Sequence, residues 1–332
     1  MLFVDNRGIT DARVNLALEE HVLREKLVDD DCVLFYINAP AIIIGRNQNT
    51  IEEIDAEVVD AKGIRVVRRI SGGGAVYHDQ GNLNFSFMTR AIRDRFSRYD
   101  QFTRPVIEVL RGLGVPAELG GRNDILADGR KISGNAQFAT PDRMFSHGTL
   151  LFDSNLDDVT AALRPRPGKV ESKGMKSIRS RVANIREFVG EPITVDELRE
   201  RILEAIFGTR DRSRIPSLQI AEDDWSAVQA LVERRYGAWS WNYGENPPSN
   251  VRRTRRFPAG EIDVHVDVQA GRVAAVRIFG DFMGRNDVVE LETRLIGLPY
   301  ERAAVLDALA GIDVSDFFGD VSADDVAAVI CG

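Results

Sequence analysis

The chain has 332 residues, more than one compact core usually carries, with 44% hydrophobic and 28% charged residues and a formal net charge of −8. That acidity argues against a nucleic-acid binder, whose affinity comes largely from neutralising phosphates. No basic region followed by an apolar stretch opens the chain and no run approaches membrane-spanning length, so a cytoplasmic protein that leaves membranes alone is expected. Cys32 and Cys331 have neither the spacing nor the context of a disulfide, a metal site or an activated thiol, and His21, His78, His147 and His265 lack zinc-hydrolase spacing.

In chain order, Val14, Leu18, Val22 and Leu23 recur at helical spacing behind the capping candidates Thr10 and Asp11. Short apolar runs at 33–37 and 41–44, and then 65–69, read as strands. Next comes Arg68-Arg69-Ile70-Ser71-Gly72-Gly73-Gly74-Ala75-Val76-Tyr77-His78-Asp79. Three glycines beside arginines let backbone N–H groups close on an anion, and a guanidinium adds a charged fork for phosphate oxygens. Neither the Walker spacing nor the dinucleotide fingerprint fits it.

Leu83, Phe85 and Phe87 alternate with Asn82, Asn84 and Ser86, as in a strand with one buried face. Thr103, Pro105 and the apolar residues 106–113 before Gly114 read as a capped helix with a glycine stop. Asp128-Gly129 marks a two-residue hairpin. In its regular register Leu126 faces Lys131 and Asp124 faces Ser133, so Asp124, Lys131 and Ser133 share one side. A plain surface ion pair is the alternative meaning of Asp124 and Lys131.

Residues 156–163 read as helix. Thr194 with Glu197 forms a capping box for a helix to Phe207, and 225–236 is helical in pattern. Between the first two lies a basic stretch carrying Lys169, Lys173 and Lys176. The only other lysines are Lys26, Lys62 and Lys131, so arginine is the default cation and Lys131 stands out. Residues 244–250 form a Gly/Asn/Pro linker, which places the domain boundary there: 1–245 and 251–332. Beyond it, alternation over 261–268 and an apolar run at 273–278 give two strands, then helical patterns to 330, for a small α+β domain. His265 falls on the polar strand face and is expected in solvent. Arg252, Arg253, Arg255 and Arg256 read as a solvated or ion-pairing cluster.

The glycine-rich segment, together with Gly120–Ala136, Ile43–Asn49, His147–Leu151 and Ser177–Asn184, resembles the lipoate–protein ligase family over most of the chain. The resemblance implies an α/β (α+β) fold: a mixed β-sheet catalytic domain of the biotin/lipoate ligase type with a small C-terminal α+β domain. It implies ATP-dependent conversion of lipoic acid to an acyl-adenylate, with Mg²⁺, and transfer of the acyl group to a lysine of lipoyl-domain acceptors. Those acceptors would be acyltransferase subunits of 2-oxoacid dehydrogenase complexes and the glycine cleavage carrier protein. By the same resemblance Arg69, Gly74, Ala75, Val76, Tyr77 and Lys131 contact the nucleotide, while Ser71, Gly72, Gly73, His147 and Lys131 hold lipoate. Lys131 is the catalytic residue, Asn123 and Asp124 support it or hold metal, and the stretch Lys169–Arg181 forms a lid.

The chemistry suits these residue types. An ionised carboxylate attacking the α-phosphorus needs no strong base but needs its crowded negative charge offset by fixed cations and N–H donors. The acceptor amine must lose a proton, and Asp124 is open as base, Mg²⁺ ligand or orienting partner of Lys131. Two relatives by chemistry compete with the ligase: an acyltransferase of the same superfamily working through a cysteine thioester without ATP, and biotin–protein ligase. From another class, a non-catalytic sensor or carrier-binding protein competes as well. The preferred acid, the acceptor and the oligomeric state stay open at this level.

Overall fold

The computed structural model describes residues 1–26, 30–90, 95–121, 123–163, 181–244 and 249–332. It divides into two compact units. The first comprises Met1–Ile43, Ile51–Val67 and Val76–Asn242, and the second Ile44–Thr50, Arg68–Ala75 and Tyr243–Gly332. The glycine-rich segment therefore clusters with the residues beyond the linker.

The first unit is built on a seven-stranded mixed sheet in the order β1-β2-β6-β10-β9-β8-β7. Its strands are β1 (Leu2–Val4), β2 (Cys32–Ile37), β6 (Asn82–Arg90), β7 (Ala117–Gly120), β8 (Asp124–Ala127), β9 (Arg130–Ala139) and β10 (Arg143–Leu151). β1 runs parallel to β2, and the remaining neighbours are antiparallel. A smaller sheet joins β3 (Ala41–Ile44), β4 (Arg65–Arg68) and β5 (Val76–His78) in the order β4-β3-β5.

The alternation in β6 sets the faces of the large sheet. Leu83, Phe85 and Phe87 lie in one hydrophobic core with residues of the helices Tyr99–Gly112 and Val195–Phe207. The opposite face is buried too, against the expectation of a solvated side: Asn82, Asn84 and Ser86 are all nearly inaccessible. Two of the side chains bond internally, Asn82 Nδ2 donating to Asn84 Oδ1 at 3.0 Å and Asn84 Nδ2 to the Tyr36 carbonyl at 3.2 Å, whereas Asn82 Oδ1 and Ser86 Oγ are buried without a hydrogen-bond partner among the described residues.

Asp11 caps the first helix (Ala12–His21) through the Arg13 amide, and Thr194 caps Val195–Phe207 through Glu197 N. The helix expected to begin near Thr103 instead starts at Tyr99 and carries Pro105 inside it. There the Thr103 hydroxyl donates back to the Tyr99 carbonyl at 2.9 Å. Of the stretch expected as a lid, Lys169–Arg181, residues 169–180 lie outside the described residues, as do 245–248 of the linker.

In the second unit an antiparallel sheet of β11 (Val251–Phe257), β12 (Gly260–Gln269) and β13 (Arg272–Gly280) shares a core with the helices Val289–Leu295, Arg302–Leu309 and Ala323–Cys331. His265 is buried rather than solvated, because Asp263 beside it is fully buried and gathers Arg252, Thr254 and His265 around its carboxylate. Burial works against ionisation of Asp263, but those hydrogen bonds outweigh it and hold the carboxyl far below the usual range. Three of the four arginines of β11 are paired: Arg252 with Asp263, Arg255 with Asp325, and Arg256 with Glu261 and Asp281.

Candidate active site

In the second unit the glycine loop is shaped by two adjacent buried arginines. Arg69 turns inward: Nε donates to Ser71 Oγ at 2.9 Å, and Nη2 to the carbonyls of Gly72 at 2.7 Å and Gly74 at 2.9 Å. Arg68 does the same for the preceding turn, giving Nη1 to the carbonyls of Gly45, Arg46 and Gln48 and Nη2 to Thr50 Oγ1. Burial, together with nearby Arg277 and Arg69, lowers the Arg68 pKa to about 10, which leaves the guanidinium charged near neutrality. These groups stiffen the loop from its carbonyl side.

The three glycines differ. Gly73 sits at φ 90°, a conformation L side chains rarely adopt. A Cβ on Gly72 would stand 2.5 Å from the Phe282 carbonyl oxygen, and one on Gly45 would stand 1.8 Å from the Gly73 carbonyl oxygen. A Cβ on Gly74 would meet nothing within 4 Å. Ser71, Gly72 and Gly73 are buried, whereas Gly74, Ala75 and Val76 are partly exposed before burial resumes at Tyr77. The part of the loop open to a ligand is thus Gly74–Val76. Burial, with Asp158 and Asp79 nearby, raises the Tyr77 phenol to about 12, so it stays a neutral group.

In the first unit Lys131 projects from the hairpin β8–β9. Asp128 and Gly129 both take positive φ, 48° and 74°, as the tight turn requires. The register is Leu126 opposite Lys131, as expected, but a shift between Ile125 and Leu126 puts Ser133 opposite Ile125 and Gly134 opposite Asp124. Ile132 is the extra residue of a bulge, and it points into the core with Ile125. The regular pairing of Asp124 with Ser133 is thereby corrected: Ser133 is buried and Gly134 takes its place. Lys131 Nζ lies 2.8 Å from Asp124 Oδ1, with both side chains about one-third exposed at 35% and 33%. The lysine arm lies over Gly134, where a Cβ would come within 2.8 Å of Nζ and 3.0 Å of Cε.

The lysine backbone is clamped from its other side. Lys131 N donates to the Arg181 carbonyl at 2.7 Å, and Ala183 N donates to the Lys131 carbonyl at 2.9 Å. Asn123 is locked to the same strand, its carbonyl accepting from Asn135 N at 3.0 Å and Nδ2 at 2.8 Å. The Thr149 hydroxyl accepts from Gly134 N at 3.2 Å, linking the lysine's seat to β10.

His147 lies on the sheet face of Thr149, opposite Ser86 of β6 and Ala136 of β9. Its Nδ1 meets both Glu19 carboxylate oxygens, at 3.0 and 3.1 Å, and its ring lies 4.6 Å from that of Phe145. Glu19 is almost wholly buried on the first helix. Sequence reasoning missed Glu19 and Arg68. The available signal was a carboxylate within an otherwise apolar helix face and an arginine inside a strand.

Within the first unit, then, Asp124, Lys131 and His147 belong to one sheet, and Asn123 lies in the turn that leads into β8. Arg69, Ser71, Gly72, Gly73 and Gly74 form one loop in the second. Neither thiol is activated: burial, with Asp31 and Asp30, pushes Cys32 up to about 11, and burial also raises Cys331.

Residues 11–207 match the family model for the lipoyl protein ligase A/B catalytic domain, and residues 246–330 match that for the bacterial lipoate protein ligase C-terminus. The chain belongs to the lipoate–protein ligase family. It is 51% identical over 325 residues to the lipoate-protein ligase LplJ of Bacillus subtilis, covering 98% of each chain. Among solved structures, P. falciparum LipL1 in complex with lipoate aligns over 94% of each chain with a TM-score of 0.76 at 22% identity, a likeness of fold. A lipoate-protein ligase A bound with ATP aligns over 73% of this chain and 98% of its own, with a TM-score of 0.62 and 29% identity. The mixed-sheet catalytic fold with a C-terminal α+β unit is therefore that of the lipoate ligases.

Proposed function

We propose that the protein activates lipoate with ATP and passes the lipoyl group to a lysine of a lipoyl-domain acceptor. One carboxylate oxygen of lipoate attacks the α-phosphorus, pyrophosphate leaves, and a mixed anhydride with AMP forms. The acceptor amine then attacks the acyl carbon, its proton departs, and AMP leaves with the electron pair of the broken C–O bond. Both steps build negative charge on oxygens around one phosphoryl–acyl junction, and a fixed point charge serves both.

Lys131 fills that role. The observation that carries the reading is its ammonium, laid over Gly134 and held 2.8 Å from Asp124. A free lysine pays rotamer entropy on each binding event, whereas one clamped at its backbone and tip arrives positioned. The Gly74–Val76 backbone is the accessible part of a loop already braced by Arg69, so it meets the nucleotide, while Arg69 itself acts through the loop carbonyls it holds. Ser71, Gly72 and Gly73 set the loop's path toward lipoate, and His147, oriented by Glu19, lines the sheet face taken by its tail. Asp124 with phosphate oxygens and water is the one-carboxylate donor set that Mg²⁺ favours, and Mg²⁺ there would offset phosphate charge. Residues 1–245 act as the catalytic domain and 251–332 as the accessory domain, in the cytoplasm, on acceptors of the 2-oxoacid dehydrogenase and glycine cleavage type.

The raised thiols disfavour the thioester acyltransferase, which needs a thiolate near neutral pH. Incubation with ATP, Mg²⁺, lipoate and an apo lipoyl domain, followed by mass measurement of the acceptor, tests the proposal. Lipoylation that requires ATP supports it; labelling from an acyl carrier without ATP overturns it.

A further inference from the structure

In the second unit the end of β13 and the residues after it meet the glycine loop and the neighbouring turn at residues 45–49 at three points. Gly280 N donates to the Asn47 carbonyl at 2.6 Å, Gly73 N to the Phe282 carbonyl at 3.4 Å, and Arg46 pairs with Asp287. Gly72 allows the backbones to meet, since a Cβ there would also stand 3.2 Å from Met283 Cα. The other end of the contact is not free to drift. Phe282 is fully buried and packs edge-on against Phe318 at 4.9 Å, Arg285 pairs with Asp316, and a Cβ on Gly284 would stand 2.0 Å from the Phe317 carbonyl oxygen. Arg46, in turn, is joined to the loop by its own amide, which donates to the Ser71 carbonyl at 2.9 Å. A displacement of residues 280–287 is thus passed to Ser71, Gly72 and Gly73.

We infer that Arg46 and Asp287 are positioning residues for the activation step: their ion pair latches the C-terminal residues onto the glycine loop and holds Gly74–Val76 in the form that takes ATP and lipoate. This rests on the ligase reading above. Gly73 N–H is directed to Phe282, which leaves the Gly74 end of the loop as the ligand-facing part and makes its placement dependent on the latch. Transfer from a finished adenylate needs the loop less, because the acyl-phosphate bond is already made.

The test separates the half-reactions in the full-length protein. Lipoate-dependent ATP–pyrophosphate exchange reads activation, and transfer from chemically prepared lipoyl-adenylate to an apo lipoyl domain reads the second step. Asp287→Ala is expected to raise KM for ATP and lipoate in exchange on the order of tenfold, a common size for coupling between a remote contact and a ligand site, with transfer from the adenylate unchanged. The charge-swapped double variant Arg46→Asp/Asp287→Arg should recover most of the loss. Wild-type exchange kinetics in Asp287→Ala, an equal fall in both half-reactions with a lowered melting temperature, or no recovery in the swap would each overturn the latch. Absence of exchange in the unaltered protein would instead overturn the ligase reading.

Discussion

In the proposed site the glycine loop and the Lys131 hairpin are opposite solutions to holding negative charge. The loop offers main-chain donors, and its side chains, Arg68 and Arg69, face inward to fix the carbonyls of Gly45, Arg46, Gln48, Gly72 and Gly74. The hairpin offers one side chain, and its main chain serves to anchor that side chain between residues 181 and 183. A loop of this kind is damaged by adding atoms, a hairpin of this kind by removing them.

The largest expected effect is in the hairpin. Lys131→Ala should lower both adenylate formation and transfer by about 10²–10³, the usual cost of losing one preorganised charge donor. Its partly exposed ion pair contributes only about 0–1 kcal/mol, so the melting temperature should barely move. Lys131→Arg should fail as well, because a planar guanidinium cannot place a point charge at the same spot. Near-normal turnover of the arginine variant would remove Lys131 from the mechanism.

The loop glycines should then separate from one another. Gly73→Ala forces a side chain into a left-handed backbone inside a buried turn, and stability should drop by about 1–3 kcal/mol along with activity. In Gly74→Val the Cβ would meet no protein atom within 4 Å, so thermal melting should stay near the wild type while KM for ATP rises. Equal destabilisation by the two substitutions would break the division between a structural Gly73 and a ligand-facing Gly74.

The smallest effect isolates the lysine's seat. In Gly134→Ala the new methyl must displace the end of a flexible side chain rather than backbone, so stability should change by less than about 0.5 kcal/mol. The ammonium should move off its position, and kcat for pyrophosphate exchange should fall without a matching loss in nucleotide binding by titration calorimetry. Unaltered kcat would mean that Lys131 reaches its working position from elsewhere.

Much of this was legible in the residues, for identifiable reasons. Alternation in Asn82–Ser86, the Asp128-Gly129 turn and the Thr194 cap are local signals, and the structure carries each of them. What escaped depends on distant partners. Glu19 is readable as the partner of His147 only once β10 brings that histidine to it, and His265 is buried because Asp263 collects Arg252 and Thr254 from the neighbouring strand. The bulge at Ile132 was hidden because two apolar residues, Ile125 and Ile132, compete for the core at the expense of strict alternation. Pro105 misplaced a helix start that the Thr103 hydroxyl helps to sustain. The engagement of Arg69 with the carbonyls of Gly72 and Gly74 is a backbone contact that no spacing rule reveals.

The most direct measurement is pyrophosphate exchange into ATP by the purified chain, with and without lipoate and with no acceptor present. The account predicts exchange that depends on lipoate, persists without any carrier protein, falls by about 10²–10³ in Lys131→Ala and shows a raised KM for ATP in Gly74→Val. No exchange, or wild-type exchange kinetics in both variants, would contradict it.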